Sequence, residues 1–139
     1  MPTELMESLG EQLAGYEELA RIAGEQLARI LEEDTQGFDR AAARREGLQK
    51  RIAACEERIG RVLQSSPGLA ARVEVLDVRK KIKRLASDIR KTDGQAFARV
   101  EEMRDEAARR LDRFKRGRKG LEGYGRRSRS APRFVDRKG

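Results

Sequence analysis

Catalysis and metal binding draw on a short list of side chains, and this chain of 139 residues holds few of them. There is no histidine, so the commonest general base, metal ligand and triad member is missing. The one cysteine, Cys55, can form neither an intrachain disulfide nor a thiolate-based zinc site. It falls on a helical seam with Ile52 and Ile59, where a small apolar thiol packs well. The carboxylate run Glu32-Glu33-Asp34 has the composition of an acid/base or metal cluster, but its place at a helix end favours a solvated face. Gly117, Gly120, Gly123 and Gly125 alternate with Lys and Arg, yet no strand precedes them and the GxxxxGK[ST] spacing is absent. These residues predict a protein that is not an enzyme, with no cofactor and no metal site.

Charge is the strongest signal left. Residues 115–139 hold ten Lys or Arg against Glu122 and Asp136, which leaves 22 basic and 22 acidic residues in the rest. The whole net charge of +8 therefore sits in the last quarter of the chain. That segment is too polar to bury the apolar surface that would offset its ordering entropy, which predicts a flexible basic tail over 117–139. A second basic cluster, Arg79-Lys80-Lys81 with Lys83-Arg84, is interspersed with Asp77 and Asp88. Both clusters could meet phosphates, and such binding would be strongly salt-dependent. The mixed charges of the first and the scarcity of aromatic platforms in the second argue against a nucleic-acid partner.

The elements that would position any site are helices. Apolar residues Met6, Leu9, Leu13, Tyr16, Ala20, Ala23, Leu27 and Ile30 alternate spacings of three and four, which predicts a helix over 4–33. Gly10, Gly15 and Gly24 each weaken that helix by about 1 kcal/mol relative to Ala, so it depends on tertiary contacts. The rhythm resumes at Phe38, Ala41, Leu48, Ile52, Cys55, Ile59 and Val62, with Arg45 standing in one seam position, and predicts a second helix over 38–64. Ser66 as a cap and Pro67 at the first helical position then start a third. At about 100° per residue, Val75, Val78, Ile82, Leu85, Ile89, Ala96, Val100, Met103, Ala107, Leu111 and Phe114 share one arc roughly 80° wide, and the phase survives Asp93-Gly94. The reading is one helix over 67–116 with a candidate bend at Gly94. Leu69, Val73 and Leu76 fall on its opposite face, where periodicity offers only local packing.

The expected fold is all-α: an elongated antiparallel bundle of three long helices over residues 1–116, with the tail as a separate segment. Helices of this length span about 45, 40 and 75 Å, so the third would outrun its intrachain partners near Gly94. Two arrangements stay open. Either residues 95–116 bend back as a fourth core helix, or Phe97, Val100, Met103, Ala107, Leu111 and Phe114 form an uncovered stripe fit for another amphipathic helix. In the tail, Leu121, Tyr124, Phe134 and Val135 have no place in a plain polyelectrolyte and read as docking anchors, or as the last turns of the third helix packing back.

Nothing in Met1-Pro2-Thr3-Glu4 resembles a signal peptide, and no apolar run approaches the roughly 20 residues that span a bilayer. The cytoplasm is the expected compartment, without membrane insertion.

Three segments carry a resemblance. Phe114-Lys115-Arg116-Gly117-Arg118-Lys119-Gly120-Leu121, then Gly123-Tyr124-Gly125 and a closing Pro132-Arg133-Phe134-Val135-Asp136-Arg137-Lys138-Gly139, follow the helical part in the order seen in bacterial flagellar export chaperones. Over its whole length the chain resembles the FlgN/FliT type of these type III secretion chaperones. The resemblance implies a cytoplasmic chaperone that grips the terminal helices of a late flagellar subunit, a hook-filament junction or filament cap protein, and delivers it to the export gate. It implies that a client helix lies along Phe97 to Phe114. It also implies that Tyr124, with Leu121 beside it, docks on the cytoplasmic domain of the gate. Two other classes stand beside it: a structural coiled-coil component of the export ATPase complex, which the breaks at 34–37 and 65–68 disfavour, and a basic-tailed nucleic-acid-binding protein. Whether the free protein is a monomer or a homodimer that covers its own stripe is open.

Overall fold

The structure is a computed structural model that describes the backbone of residues 2–130 and the side chains of residues 3–121. Helix α1 spans Pro2–Leu31, α2 spans Thr35–Ser65, a 3-10 turn covers Pro67–Ala71, and α3 spans Val73–Ser130. No strand occurs among the described residues, and the fold is an all-α helical bundle with three long helices. The chain divides into two units whose boundary lies between Arg99 and Val100.

Within the first unit, α1 and α2 form an antiparallel hairpin. Its register is fixed by Glu11 against Arg58 at 2.8 Å, Glu25 against Arg44 at 2.5 Å, and Gln26 against Arg45 at 2.9 Å. At Gly15 the hairpin is tight: a Cβ there would stand 2.8 Å from Ile52 Cγ1. A side chain there would force Ile52 to shift.

The junction between them is built from the acidic run. Glu33 adopts φ 60°, the left-handed conformation usually given to glycine after a helix. Its N–H donates to Ile30 O at 3.0 Å and that of Asp34 to Arg29 O at 2.8 Å, the paired bonds of a Schellman motif. Asp34 then caps α2 by accepting the N–H of Gly37 at 2.9 Å. Glu32 and Glu33 are exposed, as expected of this run, but Asp34 has a structural task.

Two apolar clusters form the core. Leu19, Ile22, Ala23, Ala41, Leu48, Ile52 and Ile89 make one, with Tyr16 and Ala20 against it. Leu5, Leu9, Ile59 and Val75 make the other. Each draws on all three helices, so the first part of α3 completes the bundle. The α1 seam differs from the expected one: Leu5, Ser8, Gln12, Leu19, Ile22 and Gln26 are buried, while Met6, Leu13, Ala20 and Leu27 sit at its margin. A face that must meet two neighbouring helices is wider than a two-residue heptad seam, and its centre here includes polar side chains.

The third helix departs from expectation at both ends. Pro67 opens a 3-10 turn instead of α3, Ser66 makes no side-chain cap bond, and α3 begins at Val73 after Arg72 turns extended. Asp93-Gly94 lies inside an unbroken helix, so no fourth helix forms. The helix also continues past 116 to Ser130, where a flexible tail was expected. Extending an existing helix needs no new nucleus, and the Lys and Arg of this segment suit the negative end of its dipole.

Candidate helix-docking surface

Along α3 the stripe changes character. Val75, Ile89 and Ala96 are buried, and Val78, Ile82 and Leu85 are half-buried. Phe97, at the margin of the same arc, is 64% exposed. In the second unit Val100 and Met103 are half-buried, whereas Ala107, Leu111 and Phe114 are exposed, the last two by 54% and 62%. Exposure of aromatic and aliphatic side chains in helical register marks an interaction face better than any single exposed residue would.

Because α3 is helical beyond 116, Leu121 falls within the same arc, seven residues after Phe114, and it is 73% exposed. The sequence left Leu121 as a docking anchor beside Tyr124 or as a last turn of the third helix; α3 runs through it and places it at the end of the stripe. Its heptad spacing from Phe114 is the signal that places it there. Tyr124 has a helical backbone where a flexible tail was expected. Its side chain, and Phe134 and Val135 as further anchors, lie outside the described residues.

Charged side chains flank the stripe. Arg104 pairs with Glu101 at 3.3 Å and Arg116 with Asp112 at 2.7 Å, both within one turn of the helix. They brace α3 without covering its apolar arc. No family model, characterised protein or solved structure matches this chain.

Two further features were partly hidden in the sequence. Leu69 joins Thr3, Leu5, Met6, Arg72 and Val75 around a pocket of about 480 Å³ at the start of α3, which gives this residue an account that periodicity lacked. Val73 and Leu76 remain exposed. The basic residues Arg79, Lys80, Lys81, Lys83 and Arg84 are all exposed, as a solvated face requires.

Cys55 is buried in the hairpin. Its thiol donates to Glu11 Oε2 at 3.6 Å, while Arg58 donates to the same carboxylate at 2.8 Å and to the sulfur at 3.1 Å. Burial pushes the thiol above its ordinary value; Arg58 opposes that shift and Glu11 reinforces it. A thiol held protonated is a poor nucleophile. Among the described residues no group of three or more His, Cys, Asp or Glu side chains could hold a metal ion, and no helix is long and apolar enough to cross a membrane.

Proposed function

We propose that this protein is a helix-binding chaperone of the flagellar type III export system. The observation that carries the reading is the exposed apolar stripe of α3, Leu111 and Phe114 above all, set in a helix otherwise dominated by charge. An amphipathic helix from a client would lay its own apolar face along this stripe and bury it, using the i, i+3, i+4, i+7 anchors of helix recognition. Hiding such a helix keeps a subunit from assembling early. The resemblance of the tail segments to FlgN/FliT chaperones supports a hook-filament junction or filament cap protein as the client class, and Tyr124 as the contact to the export gate.

Client binding through apolar side chains should change little with salt. A gate contact through Tyr124 and its neighbouring arginines should weaken as salt rises, since exposed charges are screened within about 8 Å at physiological ionic strength.

The test is isothermal titration of the full chain with the junction and cap proteins of its own organism, at low and high salt. Stoichiometric binding to one of them that persists in high salt supports the reading and names the client. Absence of heat with all of them, with the protein shown to be helical by circular dichroism, refutes it.

A further inference from the structure

The second unit's helix is divided by charge at its middle. From Val100 to Glu106 it carries Glu101, Glu102, Asp105 and Glu106 against Arg104, a net −3. From Ala107 to Leu121 it carries seven Lys or Arg against Asp112, a net +6. The apolar arc runs through both halves, interrupted in the basic half by Arg118, which in the pairing below comes level with Met103. Val100 and Leu111 are eleven residues apart, as are Met103 and Phe114, a period of about 3.67 per turn that keeps an arc on one side of a helix with little drift.

We propose that two copies of this chain pair antiparallel along this stripe, about a two-fold axis between Arg110 and Leu111. Antiparallel pairing sets the acidic half of one helix beside the basic half of the other at both ends of the contact. Parallel pairing in register would set acid on acid and base on base, which is destabilising at close range. The side chains fit the same arrangement. Ala107, the smallest in the arc, comes level with Phe114 of the second copy, the largest, and Val100 comes level with Leu121. In a parallel pair two Phe114 rings would meet at one level and two Ala107 residues would leave a gap at another.

The segment is about 33 Å long, enough for four apolar layers. A second copy is also always present, whereas any other occupant must be supplied. Pairing needs only the residues of this helix and does not depend on a client. If both hold, a client must displace the second copy, and the free protein keeps its stripe out of water.

The full chain, with Cys55→Ala to remove the native thiol, tests this by sedimentation equilibrium and oxidative cross-linking. The expected mass is twice that of the monomer, falling toward the monomer as salt rises. Leu111→Glu should give the monomer mass at all salt concentrations with unchanged helicity. Leu111→Cys should cross-link to itself across the axis. Val100→Cys and Leu121→Cys should cross-link only when the two variants are mixed. A monomer at tens of micromolar in low salt overturns the proposal. So does self-cross-linking of Val100→Cys, which demands parallel pairing, or a dimer indifferent to Leu111→Glu.

Discussion

Arg45 and Asp93 are joined by two parallel hydrogen bonds, Nη1 to Oδ1 at 2.7 Å and Nη2 to Oδ2 at 2.6 Å, and Arg45 Nη1 also donates to Gln26 Oε1 at 2.9 Å. Three helices meet in that one guanidinium. It is only 17% exposed, and its bond to Asp93 raises its already high pKa while burial opposes the rise, so it stays charged. A fork-shaped cation fits a carboxylate in a single orientation, which fixes the rotation of α3 against α2 where hydrophobic packing alone would allow slippage.

Removing either partner should therefore cost more than a surface ion pair does. Arg45→Ala is expected to destabilise the fold by about 2 kcal/mol, short of a fully buried pair because Asp93 is partly solvated. Urea denaturation of Arg45→Ala, Asp93→Ala and the double variant should return a coupling energy of about 1 kcal/mol. Strictly additive losses would show that the two residues act separately.

The same pair shows how much of the fold was legible. Helix number, order and the α3 phase followed from apolar spacing, because a 3.6-residue period survives wherever one face is buried. Arg45 in a seam and Asp93 before Gly94 were each visible as anomalies, but nothing local to either reveals a partner 48 positions away. The ends of α3 were misread for a related reason. Pro67 and the glycines of 117–125 signal breaks, yet whether a helix crosses a glycine depends on the helix already formed upstream. Of the candidate surface, Val100 to Phe114 was readable as a stripe, and Leu121 was not joined to it because the glycines on either side signal a break.

Glycines in α1 that look alike in sequence should respond in opposite ways. At Gly24 no atom lies within 4 Å of a Cβ, so Gly24→Ala should gain helix propensity and stabilise by about 0.5–1 kcal/mol. At Gly15 the new Cβ would press Ile52 at 2.8 Å, and the strain of displacing that buried side chain, about 1–3 kcal/mol, should outweigh that gain. Thermal melts of the two variants check the sign of each.

Glu33 holds a left-handed backbone that costs a residue with a Cβ about 1 kcal/mol, and its carboxylate accepts from Arg99 at 3.1 Å. The Glu33 side chain is well exposed, so the ion pair is worth only a few tenths of a kcal/mol. Glu33→Gly should stabilise the protein by about 0.5 kcal/mol, and Glu33→Ala, which keeps the strain and loses the pair, should destabilise it slightly. Chemical denaturation of both variants separates the two contributions.

The buried thiol links stability to alkaline pH. Its pKa is higher folded than unfolded, so the unfolded chain releases this proton first as pH rises. Stability from Cys55 is complete below the unfolded value of about 8.5 and should decline above it. Tyr16, raised by burial and by Glu56, should add to the decline near pH 10 and above. Cys55→Ala should remove the earlier part of this slope in denaturation curves taken from pH 7 to 10. Alkylation of native Cys55 should also be slow, reaching the rate of a free thiol only in urea.

The stripe on α3 separates binding from stability more cleanly than any core residue can. Leu111 and Phe114 are more than half exposed, so in the monomer, at high salt and low protein concentration, Leu111→Ser and Phe114→Ser should leave the melting temperature within about a degree of the parent. A client helix that buries them would lose about 2 kcal/mol for each, roughly thirtyfold in affinity. Val100→Ser, at a half-buried position, should have a smaller effect on binding. Ending the chain after Leu121 keeps the full stripe and removes Tyr124, and it should spare the client while abolishing gate binding. Ending it after Phe114 removes Leu121 as well and should weaken the client contact measurably. Titration calorimetry on this series orders the residues by their share of the contact, and equal affinities across it would move the client site off α3.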